Sequence, residues 1–449
     1  MSLRVVHCVG FYFPDQVGGS EVYVRDLAAA LAGRDIESSI IAATDGPSRD
    51  YSWEGVPVFR YPSSSAQLRD GGETEPHRTA FQNLVDRLRP DLFHLHSWTP
   101  GAGLDHLRQV AELGIPSVFT QHVPAPLCIR GTVLLEGKTA CDGRIDERRC
   151  AACWALGRGV PAPAAHVLSY LPKWTPPAWM ARSPLRRLAT LASARAAAST
   201  EAARLHEIAR LSRRIVVPSK WMYEAHRANG IPAAKLLLSG QAAGKAFAGA
   251  MRAPPGQRER VLNIGFVGRL DAYKGVQTLI QAIALVPTDA RLRLIIAGST
   301  SEAEAQRFVE AAAARDSRIE LLGALPHDGI PAFLETVDIL AVPSRCQETG
   351  PIVVLEAHAM GVPVMGANLG GIAERIRDGV DGWLLPFDDP RAWAAVMEQA
   401  LADRSQVSAR AANSVRSRST GDIAAEMSTL YHETLGRTAS AVSVPTGDV

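Results

Sequence analysis

Residues 338–361 read DILAVPSRCQETGPIVVLEAHAMG. DILAVPS has the length and composition of a buried strand, and IVVLEAHAMG, opening behind Pro351, has those of a helix. The connecting loop carries Glu348, and the helix carries Glu356, with seven residues between them. Open α/β sheets bind ligands at the carboxyl ends of their strands. An acid at the mouth of a strand and another in the following helix suit a site that grips polar hydroxyls. The same pattern fits a solvated loop glutamate and a helix glutamate paired with a neighbour, because charges are usually solvated. The surrounding sequence has to decide.

Outward from this stretch, VLNIGFVG (261–268), LRLIIAG (292–298), RIELLG (318–323) and VPVMGA (362–367) read as strands. YKGVQTLIQAIALV (273–286), AEAQRFVEAAAARD (303–316) and IPAFLETV (330–337) read as the helices between them. The first half repeats the rhythm. LRVVHCVG (3–10), IESSIIAAT (36–44), VPVFRY (56–61), DLFHLH (91–96), IPSVFT (115–120), RRIVVPS (213–219) and AKLLLSG (234–240) are strand-like. Helices are expected over VYVRDLAAALAG, with Ser20 as N-cap and Gly33 past the end, and over FQNLVDRLRP, HLRQVAELG and WMYEAHRANG. The Ala-rich stretch 184–210 is also read as helix.

Strands alternating with helices at these lengths indicate parallel sheets covered on both faces. The chain has 449 residues, enough for two or three domains. The expected organisation is α/β, with two doubly wound Rossmann-like domains facing a central cleft. An N-terminal domain spans 1–245 and carries an insert at 124–183. A Gly/Pro-rich linker spans 246–260, and a second domain spans 261–415. A closing helix at 416–437 packs back on the first domain, and 438–449 is a disordered tail.

Hydrophobic residues make up 47% and charged residues 21%, which describes a globular protein. The formal net charge of +2 gives no basic face for nucleic acid. MSLRVVHCVGFYFP is too short in its apolar run, and lacks the small-residue cleavage site, to read as a signal peptide. No window approaches 18 apolar residues. Six cysteines without an export signal indicate reduced thiols and a cytoplasmic location.

VGRLDAYKG (267–275) places Arg269 behind a strand and Lys274 and Gly275 at a helix start. Two cations beside free backbone N–H groups suit a diphosphate. The alternative is a solvated pair on a surface loop. The loop VGGSE offers Gly18 and Gly19 with the same logic in the first domain. No GxGxxG follows any strand, which counts against a dinucleotide dehydrogenase.

VGRLDAYKG, the two spaced glutamates of ETGPIVVLEAHAMGVPV, and LGGIAERIRDGVDGWLLP resemble the retaining nucleotide-sugar glycosyltransferases of family 4, also called group 1, which have the GT-B fold. FYFPDQVGGSEVYVRDLAAALA resembles the start of that family's N-terminal domain. The resemblance covers about 4–435 and is strongest in the second domain. It implies transfer of a sugar, with retention, from a nucleotide-diphosphate donor to a saccharide or lipid-linked glycan. Arg269 and Lys274 would hold the diphosphate. Glu348, with Thr349 and Gly350 beside it, would meet the donor sugar, and Glu356 the ribose. Gly18 and Gly19 would face the diphosphate and acceptor, and His122 would lie near the donor sugar. No metal would be needed for the chemistry. The family's usual glycine stands three residues after the first glutamate, where this chain has Pro351 and places Gly350 one position earlier. The alternatives are a sugar-nucleotide epimerase of the same architecture and a non-catalytic binding protein on that scaffold.

Three features lie outside this pattern. Strand alternation puts His94 and His96 on one face of DLFHLH, as acceptor contacts or as satisfied structural histidines. His7 and His358 read as packed or surface residues. Cys128, Cys141, Cys150 and Cys153 fall in a polar stretch unable to form a core, with a CxxC of zinc-knuckle spacing. They read as a structural zinc site, as an iron–sulfur cluster, as four reduced thiols, or as two disulfides. The segment 166–214 is basic, with Trp174 and Trp179 at its start. It reads as peripheral contact with the inner membrane face, or as an ordinary solvated helix face.

Overall fold

A computed structural model describes residues 2–15, 18–63, 75–99, 101–181, 183–184, 186–247, 261–300, 302–414 and 418–437. Most of the expected linker, the expected tail and Arg182 of the basic segment 166–214 lie outside the described residues. The chain divides into two compact units, Met1–Gly240 with Thr420–Val449, and Gln241–Ser419.

The first unit is built on an eight-stranded sheet. Its strands are β1 (Leu3–Val9), β2 (Ile36–Thr44), β3 (Arg49–Trp53), β4 (Val56–Pro62), β5 (Leu92–Leu95), β6 (Ser117–Thr120), β9 (Arg214–Val217) and β10 (Leu236–Leu238). The two-residue strands β7 (Leu134–Leu135) and β8 (Thr139–Ala140) pair by themselves in the insert. The spatial order is β10-β9-β6-β5-β1-β2-β4-β3. Every pair is parallel except β3 against β4. The order reverses at β1 and β5, so this crevice is the switch point where doubly wound sheets take ligands. Edge strand β3 was missed because RDYSW is polar and adjoins no apolar run. It pairs with β4 along one edge, and Trp53 stacks on Phe13.

The helix expected to be capped by Ser20 spans Gly19–Leu31, and its N-cap is Gly18. Glu21 accepts the Gly18 N–H at 2.8 Å, satisfying from the side chain a donor that a serine cap would leave open. Past the helix end it is Asp35, not Gly33, that adopts the left-handed conformation. The Ala-rich stretch is two helices, Arg186–Ala192 and Ala194–Leu211, broken at Ser193. Helix Thr420–Thr434 belongs to the first unit and packs on helix Gly19–Leu31. It buries Ile423, Met427, Leu430 and Tyr431.

The second unit has a six-stranded, wholly parallel sheet: β11 (Leu262–Val267), β12 (Leu292–Ala297), β13 (Ile319–Gly323), β14 (Ile339–Val342), β15 (Val364–Ala367) and β16 (Gly382–Leu385). The order β13-β12-β11-β14-β15-β16 is the 3-2-1-4-5-6 winding of nucleotide-binding sheets. β16 was legible only as part of LGGIAERIRDGVDGWLLP. Its four residues directly follow a turn and offer too short a run to read as a strand. Most positions along β11, β12 and β14 are buried and apolar, with Asn263 and Arg293 the polar exceptions, as two covered faces require.

Candidate functional site

In the second unit the switch point lies between β11 and β14, and both expected loops emerge there. β11 leads into a short 3-10 turn, Ala272–Lys274, then helix Val276–Ile283. Gly275 joins them at φ +72°, and a Cβ there would strike the Pro343 carbonyl. The close approach brings the first loop onto the end of β14, and Arg345 N–H donates to the Tyr273 carbonyl at 2.7 Å. The second loop ends at Pro351, the N-cap of helix Ile352–Ala359.

Lys274 Nζ donates to Glu348 Oε1 at 2.6 Å, and Ser344 Oγ donates to the same oxygen at 2.8 Å. The pair is mostly buried, with side-chain exposures of 29% and 15%. Burial acts to lower the Lys274 pKa, but Glu348 outweighs it and the net shift is upward. Burial acts to raise Glu348, but Lys274, Ser344 and Arg269 outweigh it and the net shift is downward. Both groups are therefore charged at neutral pH, each stabilising the other's ionic form. Arg269 is 73% exposed and pairs with Asp271 at 3.0 Å. Thr349 and Gly350 are buried.

The LGG of residues 369–371 grips the same loop. Gly371 N–H donates to the Glu348 carbonyl at 2.8 Å. A Cβ on Gly371 would fall 2.7 Å from that oxygen, and one on Gly370, at φ +51°, would meet Gln347. Glu356 is buried in its helix, 3.5 Å from His327 Nε2. His327 follows β13 and was not singled out in the sequence. Cys346 sits within the loop, its thiol pushed up to about 12 by burial.

In the first unit, β1 and β5 carry a histidine cluster. His7 faces His94 across the strand pair, and His96 is two residues on, so all three share one face of the sheet. All three are fully buried. His7 Nδ1 lies 3.0 Å from His96 Nε2, and His7 Nε2 lies 3.3 Å from Ser38 Oγ on β2. His96 Nδ1 lies 3.3 Å from Nε2 of His122, which follows β6. His94 is held between the Tyr431 hydroxyl and Thr120 Oγ1, both at 2.7 Å. Tyr23 meets the His122 ring edge-on at 4.9 Å. Alternation made the pairing of His94 and His96 legible. Their contacts with His7 and His122 depend on strand register, which was not.

The four clustered cysteines take a different form from a knuckle. Cys150 and Cys153 lie inside helix Glu147–Leu156, where a hairpin was expected. Asp146 caps that helix by accepting from the N–H groups of Arg148 and Arg149, so the CxxC spacing is taken up by helical turns. All six cysteines are free thiols. Cys153 Sγ accepts the Glu136 N–H at 3.2 Å and an Arg130 N–H at 3.3 Å. Burial raises the Cys141 thiol and pushes Cys150 up to about 12. Among the described residues, the His/Cys/Asp/Glu group whose ligand atoms all lie within 4.8 Å of one another is His7, His94 and His96.

Two doubly wound sheets, the second wholly parallel with a buried lysine–glutamate pair at its switch point, define a two-unit α/β protein with Rossmann-like topology. The family models agree: "Glycosyltransferase Family 4" matches residues 17–238 and "Glycosyl transferases group 1" matches 262–403. The chain belongs to the group 1, family 4-type glycosyltransferases. It is 34% identical over 182 residues to the D-inositol 3-phosphate glycosyltransferase of Corynebacterium glutamicum (strain R). That match covers 38% of this chain and 43% of the relative, so the chain spans less than half the length of the curated relative it matches. Its fold is similar to that of Anabaena HepE in complex with UDP and glucose, with a TM-score of 0.59 at 17% identity, covering 94% and 95% of the two chains. It is also similar to sucrose-phosphate synthase from Thermosynechococcus elongatus, with a TM-score of 0.64 at 18% identity, covering 97% and 99%.

The buried histidines give a pH dependence. Burial lowers His7 to about 3, and His106, His122 and His226 to about 4, from the usual 6.5. Below pH 6.5 the unfolded chain takes up protons that the native chain refuses. Stability is therefore full above 6.5 and falls as the pH drops toward 4, by roughly 1.4 kcal/mol per pH unit for each histidine. Urea midpoints should fall steeply between pH 7 and pH 5, and equal midpoints would contradict the burial of these rings.

Proposed function

We propose that the protein is a retaining glycosyltransferase that moves a sugar from a nucleoside-diphosphate sugar to a saccharide or lipid-linked glycan. The observation that carries this reading is the Lys274–Glu348–Ser344 constellation at the switch point of a 3-2-1-4-5-6 sheet, in a chain of this family. Breaking a glycosyl–phosphate bond leaves charge on the diphosphate. Fixed cations oppose that charge without reorganising. Arg269 is exposed and within reach of solvent, and Lys274 is fixed by Glu348. A carboxylate beside an anionic donor would ordinarily repel it. Lys274 offsets that repulsion, so Glu348 can accept hydrogen bonds from donor-sugar hydroxyls. Glu356 is assigned to the ribose, Gly18 and Gly19 to the diphosphate and acceptor, and His122 to the donor sugar. Thr349 and Gly350 line the sugar end, where the early glycine and Pro351 depart from the family pattern. No metal takes part in this scheme.

Glu348→Ala and Lys274→Ala should each lower turnover at least 100-fold, read as nucleotide released in the presence of acceptor. Wild-type turnover in both variants would refute the assignment. Epimerised donor in the absence of acceptor would replace the transferase reading with an epimerase one.

We also propose that Cys128, Cys141, Cys150 and Cys153 take up a structural zinc. The supports are the presence of four cysteines in one polar insert and the scarcity of regular structure between Cys128 and Cys141, where the two strands are two residues each. Elemental analysis should find about one zinc per chain, and a folded, metal-free protein would end the idea.

We propose peripheral membrane contact through 166–214, made by exposed apolar and aromatic side chains, since several of its basic residues are ion-paired. Lys173 and Arg195 pair with Glu147, Arg204 with Glu201, Arg210 with Glu207, and Arg214 with Glu433. Val167, Tyr170 and Trp179 are more than 60% exposed, and Trp174 is 40% exposed. Exposed apolar and aromatic side chains along one segment suit a membrane interface. Among the described residues no helix is long and apolar enough to cross a membrane. Sedimentation with anionic vesicles should weaken several-fold in Trp174→Ala/Trp179→Ala, whereas equal binding would exclude this surface.

A further inference from the structure

At the carboxyl ends of β1, β2 and β4 the first unit holds a cavity of about 340 Å³. Small-ligand sites run from about 300 to 1,000 Å³, so there is room for one ring-sized ligand. Phe11 enters the lining from the loop after β1, Thr44 and Asp45 from the end of β2, Ser63 from just past β4, and Thr99 from the loop after β5.

The frame of this cavity is fixed by the protein itself. Arg60 of β4 is buried, and its guanidinium is bonded on every nitrogen. Nε donates to the Tyr51 hydroxyl, Nη1 to the Ala43 carbonyl, and Nη2 to the Tyr12 carbonyl and to Asp15 Oδ2. These bonds tie the loop after β1 to β2 and β4. They also hold one oxygen of Asp15, whose side chain is still 55% exposed. On the β5 side, Thr99 and Ala102 exchange backbone hydrogen bonds, and the Tyr61 hydroxyl donates to the Gly101 carbonyl. A Cβ on Gly10 would fall 2.5 Å from Thr99 Oγ1, and one on Gly101 would fall 2.8 Å from the Ala43 Cβ. The loops after β1 and β5 therefore close on each other and on β2. A site held this way spends little of a ligand's binding energy on ordering the protein.

The lining combines hydroxyl residues (Thr44, Ser63), carboxylates (Asp15, Asp45) and the ring of Phe11, which is 41% exposed. That mixture fits a pyranose. Sugar hydroxyls donate to carboxylates in charge-assisted hydrogen bonds, and the C–H face of the ring buries against an aromatic. A phosphate fits poorly. Among the described residues the lining has one cation, Arg60, bonded as above, and Arg49 outside it stands 3.7 Å from Asp15 and offsets the second carboxylate.

The cavity is also displaced from the reaction centre proposed above. His122 follows β6, and in the order β6-β5-β1-β2-β4 the strands β1 and β2 stand two and three places away. At about 4.8 Å per strand the offset is roughly 10–14 Å, longer than one pyranose ring. A sugar seated here is not the one that receives the transferred residue.

We propose that this cavity is a distal acceptor subsite, which holds an uncharged pyranose of a glycan whose reacting residue lies nearer His122. The enzyme then favours acceptors of several sugars over a single one. The acceptor role rests on the transferase function proposed above; the affinity of the cavity for a pyranose does not. Phe11 and Asp15 are specificity residues in this scheme and take no part in the chemistry.

The test uses the full-length protein in two arms. The first is saturation-transfer NMR without donor, with glucose, galactose, mannose, N-acetylglucosamine and glucose 6-phosphate as probes. At least one neutral sugar should show transfer that is lost in Phe11→Ala and kept in Phe11→Tyr, which retains the ring and separates loss of the subsite from loss of the fold. No transfer to any neutral sugar, equal transfer in wild type and Phe11→Ala, or stronger transfer to glucose 6-phosphate than to every neutral sugar would overturn the proposal. The second arm reads nucleotide release from UDP-glucose, GDP-mannose and ADP-glucose, with the mono- and trisaccharide of the bound sugar as acceptors. The trisaccharide should have the lower KM, and Phe11→Ala should raise that KM about tenfold with kcat and the monosaccharide KM little changed. Equal KM values for the two acceptors, or an unaltered trisaccharide KM in Phe11→Ala, would overturn the subsite and leave the transferase function standing. Phe11-dependent sugar binding in a protein that turns over none of the donors would overturn the acceptor role together with the proposed function, and leave a saccharide site.

Discussion

The backbone of residues 343–350 is held from two sides by glycines, and the donor-side site depends on that grip. On one side Gly275 lies against the Pro343 carbonyl with no room for a Cβ. On the other, Gly371 donates to the Glu348 carbonyl, and Gly370 sits over Gln347 in a left-handed conformation. A loop at a sheet edge would ordinarily be free to move. Here three loops from β11, β14 and β15 are pressed together, and Glu348 has Lys274 and Ser344 as fixed neighbours. The Lys274–Glu348 pair gains little unless both partners are held, because side-chain entropy and desolvation oppose it. The glycines supply that holding through the backbone.

This geometry gives the sequence motifs a physical meaning. KG in VGRLDAYKG is a cation followed by the one residue that can pass the end of β14. LGG is a leucine N-cap followed by the two residues that can pass the Glu348 loop. Alternation of strands and helices made both sheets legible, and the loop after β14 was legible as a site because a strand, an acid and a helix follow in order. Less legible were features set by register or by isolated pairing. RDYSW carries no strand pattern of its own and is ordered by β4. His7 and His122 lie 115 residues apart in sequence, and nothing in either neighbourhood announces that His96 bridges them. The CxxC read as a knuckle because its spacing suits one, but the Asp146 cap and the alanines that follow make it helix.

The histidine face shows the opposite arrangement from the donor-side loop. There a polar group is held by backbone contacts. Here polar side chains occupy core positions between strands and two covering helices. Burying unmatched imidazoles would cost several kcal/mol, yet each nitrogen of His7, His94 and His96 has a partner. A network satisfied to this degree specifies one arrangement of β1, β2, β5 and β6, since a register slip of one residue would turn the rings to the other face.

Tyr431 closes that network from helix Thr420–Thr434, and this has a consequence for the order of events during synthesis. The sheet of the first unit is complete once Leu238 has been made, but the helix that covers it and the hydroxyl that meets His94 come about 190 residues later. At 5–20 residues per second the wait is roughly 10–40 s. Throughout that interval the whole second unit emerges and can fold, while the first carries an uncovered apolar face and an unmatched imidazole. The first unit to begin folding is therefore the last to finish, and the nascent chain passes through its longest vulnerable period with half of its architecture already in place.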